Sequence, residues 1–532
     1  MKMKKTVKWT VFLAALALMI GCFAGCGGDP KGNPVSGTAT SGTSGGAANA
    51  TDASGNATEP GETVQTDASG NSNPSADNNS KTGSGNKTDS NKTDNNKTNN
   101  NSKTTVANSS GNANANDPLK DVETKGKTFT VISTYLSSKR TSSMDLYAEL
   151  FLERAQEVEK ELGCKINIVN SVYPTPEWLA PQIRAGKKVA DLLHVEMRQL
   201  VPFVSAGYVK AWSDIPGVNV KDSNFNQGIT QVSTIGGKTY ALSMLKPEEV
   251  RYCGIINKTL LRNCGIDPDE IYRKIDDGTW NFDALKAYAQ KVQSNSSFKG
   301  KAVDADPTYL LEMLMAANNG RLVTMNSAGK ATPTYTSANV KEAAGFMDEL
   351  ITGNLYNPKD YTTDRFVQGN VAFLFDESWV MAKKIRSNVK NFDYGMIILP
   401  KGPSASGYVS GLEHANIFMA TSTNTELDFT AKVLNALAKP SKNQTGSQWW
   451  LDEVQLDLFQ KNDAKSLNIY QKCLNSATID LGLCVPTLTT AFKDAVLQNA
   501  IIDKKTSVSA AFDSINGKLD GTINDVFKNI GK

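Results

Sequence analysis

The sequence predicts an α/β protein with a parallel sheet covered by helices on both faces, carried behind an export signal and a long polar segment. Three observations lead there. Four lysines precede a single strongly apolar run near the start. Residues 27–117 hold almost nothing apolar. From residue 127 onward, strand-like apolar runs alternate with amphipathic helical ones.

The opening MKMKKTVK carries Lys2, Lys4, Lys5 and Lys8 and no acid, and the apolar run WTVFLAALALMI follows at 9–20. A membrane-spanning helix needs roughly 20 apolar residues, so this run reads as the core of an export signal. It leads into GCFAGCGG at 21–28, where small residues precede two cysteines. Losing the four lysines takes the formal charge from +3 to −1. A nearly neutral mature chain has no general attraction for nucleic acid or anionic lipid.

The segment behind the signal is made of Gly, Ser, Thr, Asn, Asp and Lys. TDASGN occurs at 51–56 and 66–71, and NKT at 86–88, 91–93 and 96–98. Such a composition cannot offset chain entropy by burial, so a disordered tether is expected over 26–118. At about 5–6 Å × √n, some 90 residues would average roughly 50 Å end to end. GTSGG at 42–46 matches G-x-S-x-G formally, but that motif needs a strand before it and a helix after it. In a polar tract the match is chance.

The rest, 119–532, is long enough for two cores. KTFTVIS (127–133), KINIV (165–169) and DLLHV (191–195) read as strands. They are separated by a helix at 143–163, with Tyr147, Leu150, Phe151, Val158 and Leu162 on one stripe and Gly163 as its stop, and by a short helix near 177–185. This βαβαβ order implies a parallel sheet. GGKTYALS (236–243) reads as a turn and strand, and RYCGIINK (251–258) as a strand. Asn281 is placed to cap a helix at 282–292, with further helices at 306–320 and 340–352. VAFLFDE (371–377), YGMIILP (394–400) and NIFMATS (416–422) return to strand, and the tail is helical. Five cysteines fall here, Cys164, Cys253, Cys264, Cys473 and Cys484, with no C-x-x-C pair. Neither a metal nor a redox site follows. Cys473 and Cys484 could bridge. The two histidines, His194 and His414, offer little to a histidine-dependent mechanism.

Several stretches, in order, resemble the extracellular solute-binding proteins of sugar ABC importers, the maltose-binding-protein-like family. They are ADLLHVEMRQLVPFVSAGYVKAW (190–212), GGKTYALS with GIINKTLLRNCGIDPDEI (254–271), TWNFDALKAYAQKV (279–292), FVQGNVAFLFDESWV (366–380) and DYGMIILPKGP (393–403). The resemblance runs from about Lys127 to the C-terminus. It implies a two-lobed periplasmic-binding-protein-like fold (type II) whose lobes are joined by hinge crossovers. Lobe 1 is expected over about 126–246 and 403–470, and lobe 2 over about 253–399 and 475–532. Crossings are expected near 245–253, 399–403 and 465–480. The signal's end resembles a lipobox, which implies cleavage before a cysteine that takes a diacylglyceryl anchor. Cys26, behind Ala24-Gly25, is preferred to Cys22, although neither has the family's Leu at the third preceding position.

A sugar offers apolar C–H faces and a ring of hydroxyls, so its site needs aromatic platforms and planar polar groups. Trp379 stands at the family's stacking tryptophan, with Glu377 where the family has Gly. The competing reading is a core tryptophan. Tyr135 and Arg140 lie in the loop after the first strand. Glu196 and Arg198 follow the third, Glu249 and Arg251 lie at the first crossing, and Asp306 and Tyr309 open a second-lobe helix. For these, a solvated charge or a helix cap is the plainer alternative, with Arg198 and Glu249 pairing on the surface. Of Trp449 and Trp450, at most one can face a site, since neighbours on a helix point about 100° apart.

The expectation is a non-enzymatic receptor without a cofactor, monomeric and lipid-anchored on the outer face of a Gram-positive cell. It would capture a carbohydrate and deliver it to permease subunits. A surface polysaccharide-degrading enzyme and a receptor for a non-sugar solute are the rivals.

Overall fold

The computed structural model describes residues 117–139, 146–170, 172–244, 250–326, 329–442, 444, 449–459, 462–528 and 530. The signal, Cys22, Cys26 and nearly all of the polar segment lie outside these residues, as do Arg140 and Glu249. The chain divides into the units Met1–Thr105 and Val106–Lys532, and everything below concerns the second.

The first sheet contains β1 (Thr128–Ser133), β2 (Lys165–Val169), β3 (Leu192–Glu196) and β4 (Val209–Lys210). Next come the β5–β6 hairpin (Thr234–Ile235, Lys238–Thr239), then β7 (Tyr252–Asn257) and β8 (Val303–Ala305). The β9–β10 hairpin (Val323–Met325, Ala331–Pro333), β11 (Phe373–Glu377) and β12 (Tyr394–Ile397) follow. Finally there are β13 (Ser410–Gly411), β14 (Asn416–Thr421) and β15 (Ala477–Thr478). Sheet one has the order β2-β1-β3-β14-β4, and sheet two β12-β7-β11-β8. β1 pairs in parallel with β2 and β3, as the βαβαβ pattern predicts, while β14 returns antiparallel on β3 with Asn416 opposite Glu196.

Period-two alternation splits sheet one between two cores. Val131, Leu192 and Phe418 pack with Phe151 and Val158 of the Leu146–Leu162 helix and with Phe429 and Leu434 of the Leu427–Leu437 helix. Their neighbours Ile132, Leu193 and Ile417 face the other way, into a core continuous with sheet two. Both faces are therefore covered. His194 lies opposite Phe418, with ring centroids 4.5 Å apart, and burial lowers its pKa to about 3. It is a core residue.

Helix starts follow the sequence. Asn281 Oδ1 accepts from Ala284 N at 2.9 Å, and Asp306 Oδ1 from Thr308 N at 2.8 Å, each satisfying a donor the helix leaves open. Asn319, at φ 55, ends the Pro307–Ala317 helix in the left-handed region.

The first two crossings fall between Met244 and Tyr252 and between Ile397 and Asn416. The third differs from expectation. Arg154 Nε donates to Ala436 O at 2.9 Å, tying the Leu427–Leu437 helix to lobe 1. The next two helices, Trp449–Leu458 and Ala464–Asn475, sit on sheet two. There Tyr394 OH donates to Leu458 O at 2.9 Å, and Met396 N to Ser466 Oγ at 2.8 Å. The chain thus changes lobe at 438–449, and the helices over 449–475 belong with lobe 2. β13 and β15 pair as a short parallel ribbon beside the connecting segments.

All five described cysteines are buried free thiols, so Cys473 and Cys484 do not bridge. Trp212, Trp280 and Trp450 are core, Trp212 donating to Phe418 O and Trp280 to Ile398 O, each at 2.9 Å. Among the described residues no helix is long and apolar enough to cross a membrane.

Phe418→Ala tests the lobe 1 core. It removes a fully buried ring stacked 5.9 Å from Phe151 and is expected to cost about 3–5 kcal/mol. Guanidinium unfolding reads the loss, and an unchanged midpoint would contradict the packing.

Candidate functional site

Strand direction brings the site together. β1 and β3 end at Ser133 and Glu196, and β11 ends at Glu377. The antiparallel partners β14 and β7 begin beside those ends, Asn416 opposite Glu196 and Tyr252 opposite Glu377. Segments following the strand ends of both lobes therefore face one another around residues 412–415.

Three aromatic rings stand open there. Tyr135 is 39% exposed, Tyr173 39% and Trp379 41%, whereas Trp178, Trp212, Trp280, Trp450 and most other large rings among the described residues are buried or half-buried. The Tyr135 hydroxyl donates to Glu196 Oε1, and Trp379 Nε1 donates to Glu377 Oε2. The Tyr173 hydroxyl lies near the side chains of Tyr135 and Gln199. Tyr135 and Trp379 are thus held by their polar tips while part of each side chain stays open. Trp379 is not a core residue.

Between the lobes lies His414, whose Nδ1 is 3.9 Å from Glu196 Oε2 and 3.9 Å from Glu377 Oε1. The Tyr309 ring meets it edge-on at 4.9 Å, and the Tyr252 ring lies 5.9 Å away. Burial, with the Arg198 charge beside it, lowers the His414 pKa to about 3. Arg251 adds positive charge close enough to act on Tyr135 and His414.

Arg198, expected as a ligand contact with a surface pair as the alternative, is engaged by groups within the protein. Its Nη2 bonds Glu312 Oε2 at 2.7 Å and Oε1 at 3.0 Å, Nε donates to His414 Nε2 at 3.0 Å, and Nη1 to Leu483 O at 3.3 Å. Glu312 also receives Lys493 Nζ at 2.7 Å and the Tyr252 hydroxyl at 2.6 Å. Burial raises the Glu312 pKa, but the Arg198 and Lys493 charges outweigh it and hold the carboxyl at about 2. Arg198 is therefore a tie from lobe 1 to lobe 2. Asp306 acts as the helix cap already described, and Glu377, its side chain 7% exposed, orients Trp379.

The structure brings Tyr135, Glu196, Arg198, Arg251, Tyr309, Glu377 and Trp379, all singled out from the sequence, together around His414, and adds Tyr173, Glu312, His414 and Lys493, which were not. Glu312 had a legible signal, as the one charge in the apolar helix PTYLLEMLMAA. Tyr173 follows β2 much as Tyr135 follows β1. Among the described residues no group of three or more His, Cys, Asp or Glu is placed to hold a metal.

Two substitutions probe the base of the site, both read by denaturant midpoints across pH. Glu312→Leu strands two cations that are about one-fifth exposed and should cost roughly 2–4 kcal/mol at pH 7. With a folded pKa of about 2, the stability from Glu312 is present above the unfolded value near 4.5 and fades as pH falls toward 2. Glu413 has the opposite sign. Burial, with the Glu312 charge nearby, raises it to about 7, so its cost grows as pH rises from 4.5 to 7. Glu413→Gln should stabilise the protein at pH 7.5 by on the order of 1 kcal/mol or more, and little at pH 5.

The family model for bacterial extracellular solute-binding proteins matches residues 137–444. Binding proteins of Brucella abortus (strain 2308) and Brucella suis biovar 1 (strain 1330) are each 25% identical over 302 residues, 53% of this chain and 68% of theirs. The cyclic α-maltosyl-1,6-maltose binding protein of Arthrobacter globiformis superposes with a TM-score of 0.55 at 17% identity, covering 76% of this chain and 100% of that one. A receptor of Streptomyces glaucescens solved with acarbose gives 0.52 at 15% identity, covering 75% and 99%. At these identities the structures establish the two-lobed fold, and the family match establishes kinship: the chain belongs to the bacterial extracellular solute-binding proteins.

Proposed function

We propose that the protein captures a carbohydrate, most simply an oligosaccharide, between its lobes and delivers it to the permease of an ABC importer. The observation that carries this reading is the set of three open rings, Tyr135 and Tyr173 on lobe 1 and Trp379 on lobe 2, flanking carboxylates from both lobes. Ring faces suit the C–H surfaces of sugars, and the carboxylates and His414 suit hydroxyls. Structural neighbours named for cyclic maltosyl-maltose, acarbose, cycloalternan and β-1,6-galactobiose support the ligand class. Tyr135, Glu196, Arg251, Tyr309 and Trp379 are the residues assigned to contact, with Glu377 behind Trp379; Arg140 and Glu249 lie outside the described residues.

Lipidation at Cys26, or at Cys22, would keep the receptor beside its permease in a cell without an outer membrane. The chain enters lobe 1 through Leu119, which is buried, and Thr124, whose hydroxyl donates to Leu162 O at 2.6 Å. That is the start of β1, the strand end away from Tyr135. A tether of some 90 residues would leave the domain free to turn its cleft toward the permease.

Calorimetry of the processed protein against α- and β-linked di- to tetrasaccharides tests the function. Saturable binding of at least one sugar is expected, and Trp379→Ala should weaken it by about tenfold or more. Polysaccharide turnover without such binding would overturn the receptor reading. Mass spectrometry of the mature N-terminus distinguishes Cys26 from Cys22.

A further inference from the structure

We propose that His414 contacts the ligand directly, held by Arg198 as the neutral tautomer with its proton on Nδ1. In this arrangement one ligand hydroxyl accepts that proton and donates its own to one of the two carboxylates beside it, Glu196 or Glu377. The ligand half of this inference rests on the carbohydrate reading; the tautomer half does not.

The tautomer follows from the partners. Arg198 Nε and Nη2 both approach His414 Nε2, at 3.0 Å and 2.5 Å. A guanidinium has donors and no acceptor, so Nε2 must carry a lone pair, and in a neutral imidazole the proton is then on Nδ1. Burial and the adjacent Arg198 charge keep the ring neutral at ordinary pH. Nδ1–H faces Glu196 Oε2 and Glu377 Oε1, both at 3.9 Å, beyond direct hydrogen bonding. An oxygen about 2.8 Å from the nitrogen and from a carboxylate oxygen would close that gap. The second oxygen of each carboxylate is already held, by the Tyr135 hydroxyl and the Trp379 indole, which fixes the direction of the first.

The chemistry of the gap selects its occupant. A hydroxyl accepts from Nδ1–H and donates to a carboxylate with the same atom. An anionic group has no proton to give a carboxyl oxygen. An ammonium would suit the carboxylates but would point its protons at an N–H donor. Because Glu196 belongs to lobe 1 and Glu377 to lobe 2, a hydroxyl at this point touches both lobes. His414 lies on the segment that joins them.

Two-bond 1H–15N correlation spectra of the labelled full protein test the tautomer without any ligand. The chain has two histidines, so His414→Gln assigns the signals. The Nδ1–H pattern is expected for His414 near pH 7, and an Nε2–H or imidazolium pattern would overturn the proposal. Arg198→Lys, which keeps the charge against Glu312, should shift His414 toward a tautomer mixture; an unchanged pattern would remove Arg198 as the positioning residue. The ligand arm uses the tightest sugar from the panel. His414→Phe should lose about tenfold or more in affinity. His414→Gln, whose amide both accepts from Arg198 and donates into the gap, should stay within about threefold of wild type. Sugar binding should move the His414 Nδ1 signal and leave His194 in place. Wild-type affinity in His414→Phe, or a still His414 signal, would mean that the gap holds only water. An amino sugar binding more tightly than its neutral parent would overturn the hydroxyl assignment. If no sugar binds, the carbohydrate reading fails and takes the ligand half with it, while the spectra still decide the tautomer.

Discussion

The pairing of Arg198 with Glu312 is the contact on which the geometry of the cleft depends. Arg198 follows β3 in lobe 1, and its partners lie in the lobe 2 helix, the connecting segment at His414 and the chain at Leu483. Glu312 is 2% exposed, and an isolated carboxylate there would protonate rather than remain charged. It stays ionised because two cations and a phenol fill its lone pairs, with distances of 2.6–2.7 Å to Tyr252, Lys493 and Arg198. Buried pairs of this kind add little net stability compared with apolar packing, yet breaking one is costly. Their directional bonds fix one arrangement of the groups they join. Here those groups belong to different lobes, so the pair sets where Glu196 stands relative to Glu377.

The rim of the cleft obeys a different constraint. Three large rings remain open in a chain that buries Trp212, Trp280, Phe373, Phe375 and Phe418 almost completely. Leaving a ring in water forfeits roughly 25 cal/mol per Å2 of apolar area, which folding would otherwise recover. What holds Tyr135 and Trp379 outward is the attachment of their polar tips to Glu196 and Glu377, themselves at strand ends. The rings are thereby ordered before any ligand arrives, which lowers the entropy lost on binding.

This division explains what the sequence could disclose. Local rules were legible: alternating strands at β1, β3 and β14, the caps at Asn281 and Asp306, and the exposed Trp379 behind a buried strand. Three-residue β8 and two-residue β13 and β15 were not, since so few residues carry no period. The third crossing was misplaced because amphipathicity shows that a helix has a partner and not which lobe provides it. The helices at 449–475 satisfy their apolar faces on β12 as readily as they could on lobe 1. Arg198 was weighed only as a ligand contact or a surface charge, and not as a tie between lobes, because its partner lies 114 residues away. His414 was passed over because its significance comes from Arg198 on one nitrogen and a carboxylate of each lobe near the other.

The carboxyls at the base of the lobes also divide the work by charge. Glu312 and Glu413 interact unfavourably when both are ionised, so with limited cations only one keeps its charge cheaply. Arg198 and Lys493 lie on Glu312, which ionises; Glu413, fully buried on the connecting segment, is pushed to about 7 and accepts a neutral hydrogen bond from Asp480 N at 3.0 Å. Asp480, held near 6 by burial, in turn accepts from Leu322 N at 2.6 Å. Beside the Arg198 bonds to His414, the segment between β13 and β14 is secured by backbone bonds, Leu412 N to Thr478 O at 2.9 Å and Met197 N to Ala415 O at 2.7 Å. Bonds of that kind carry little desolvation penalty when they shift, whereas an ion pair must be rehydrated to separate. Among the described residues, the ion pair that separation of the lobes would break is Arg198 with Glu312. The residue that shares Arg198 with that pair, His414, is the one that looks into the cleft.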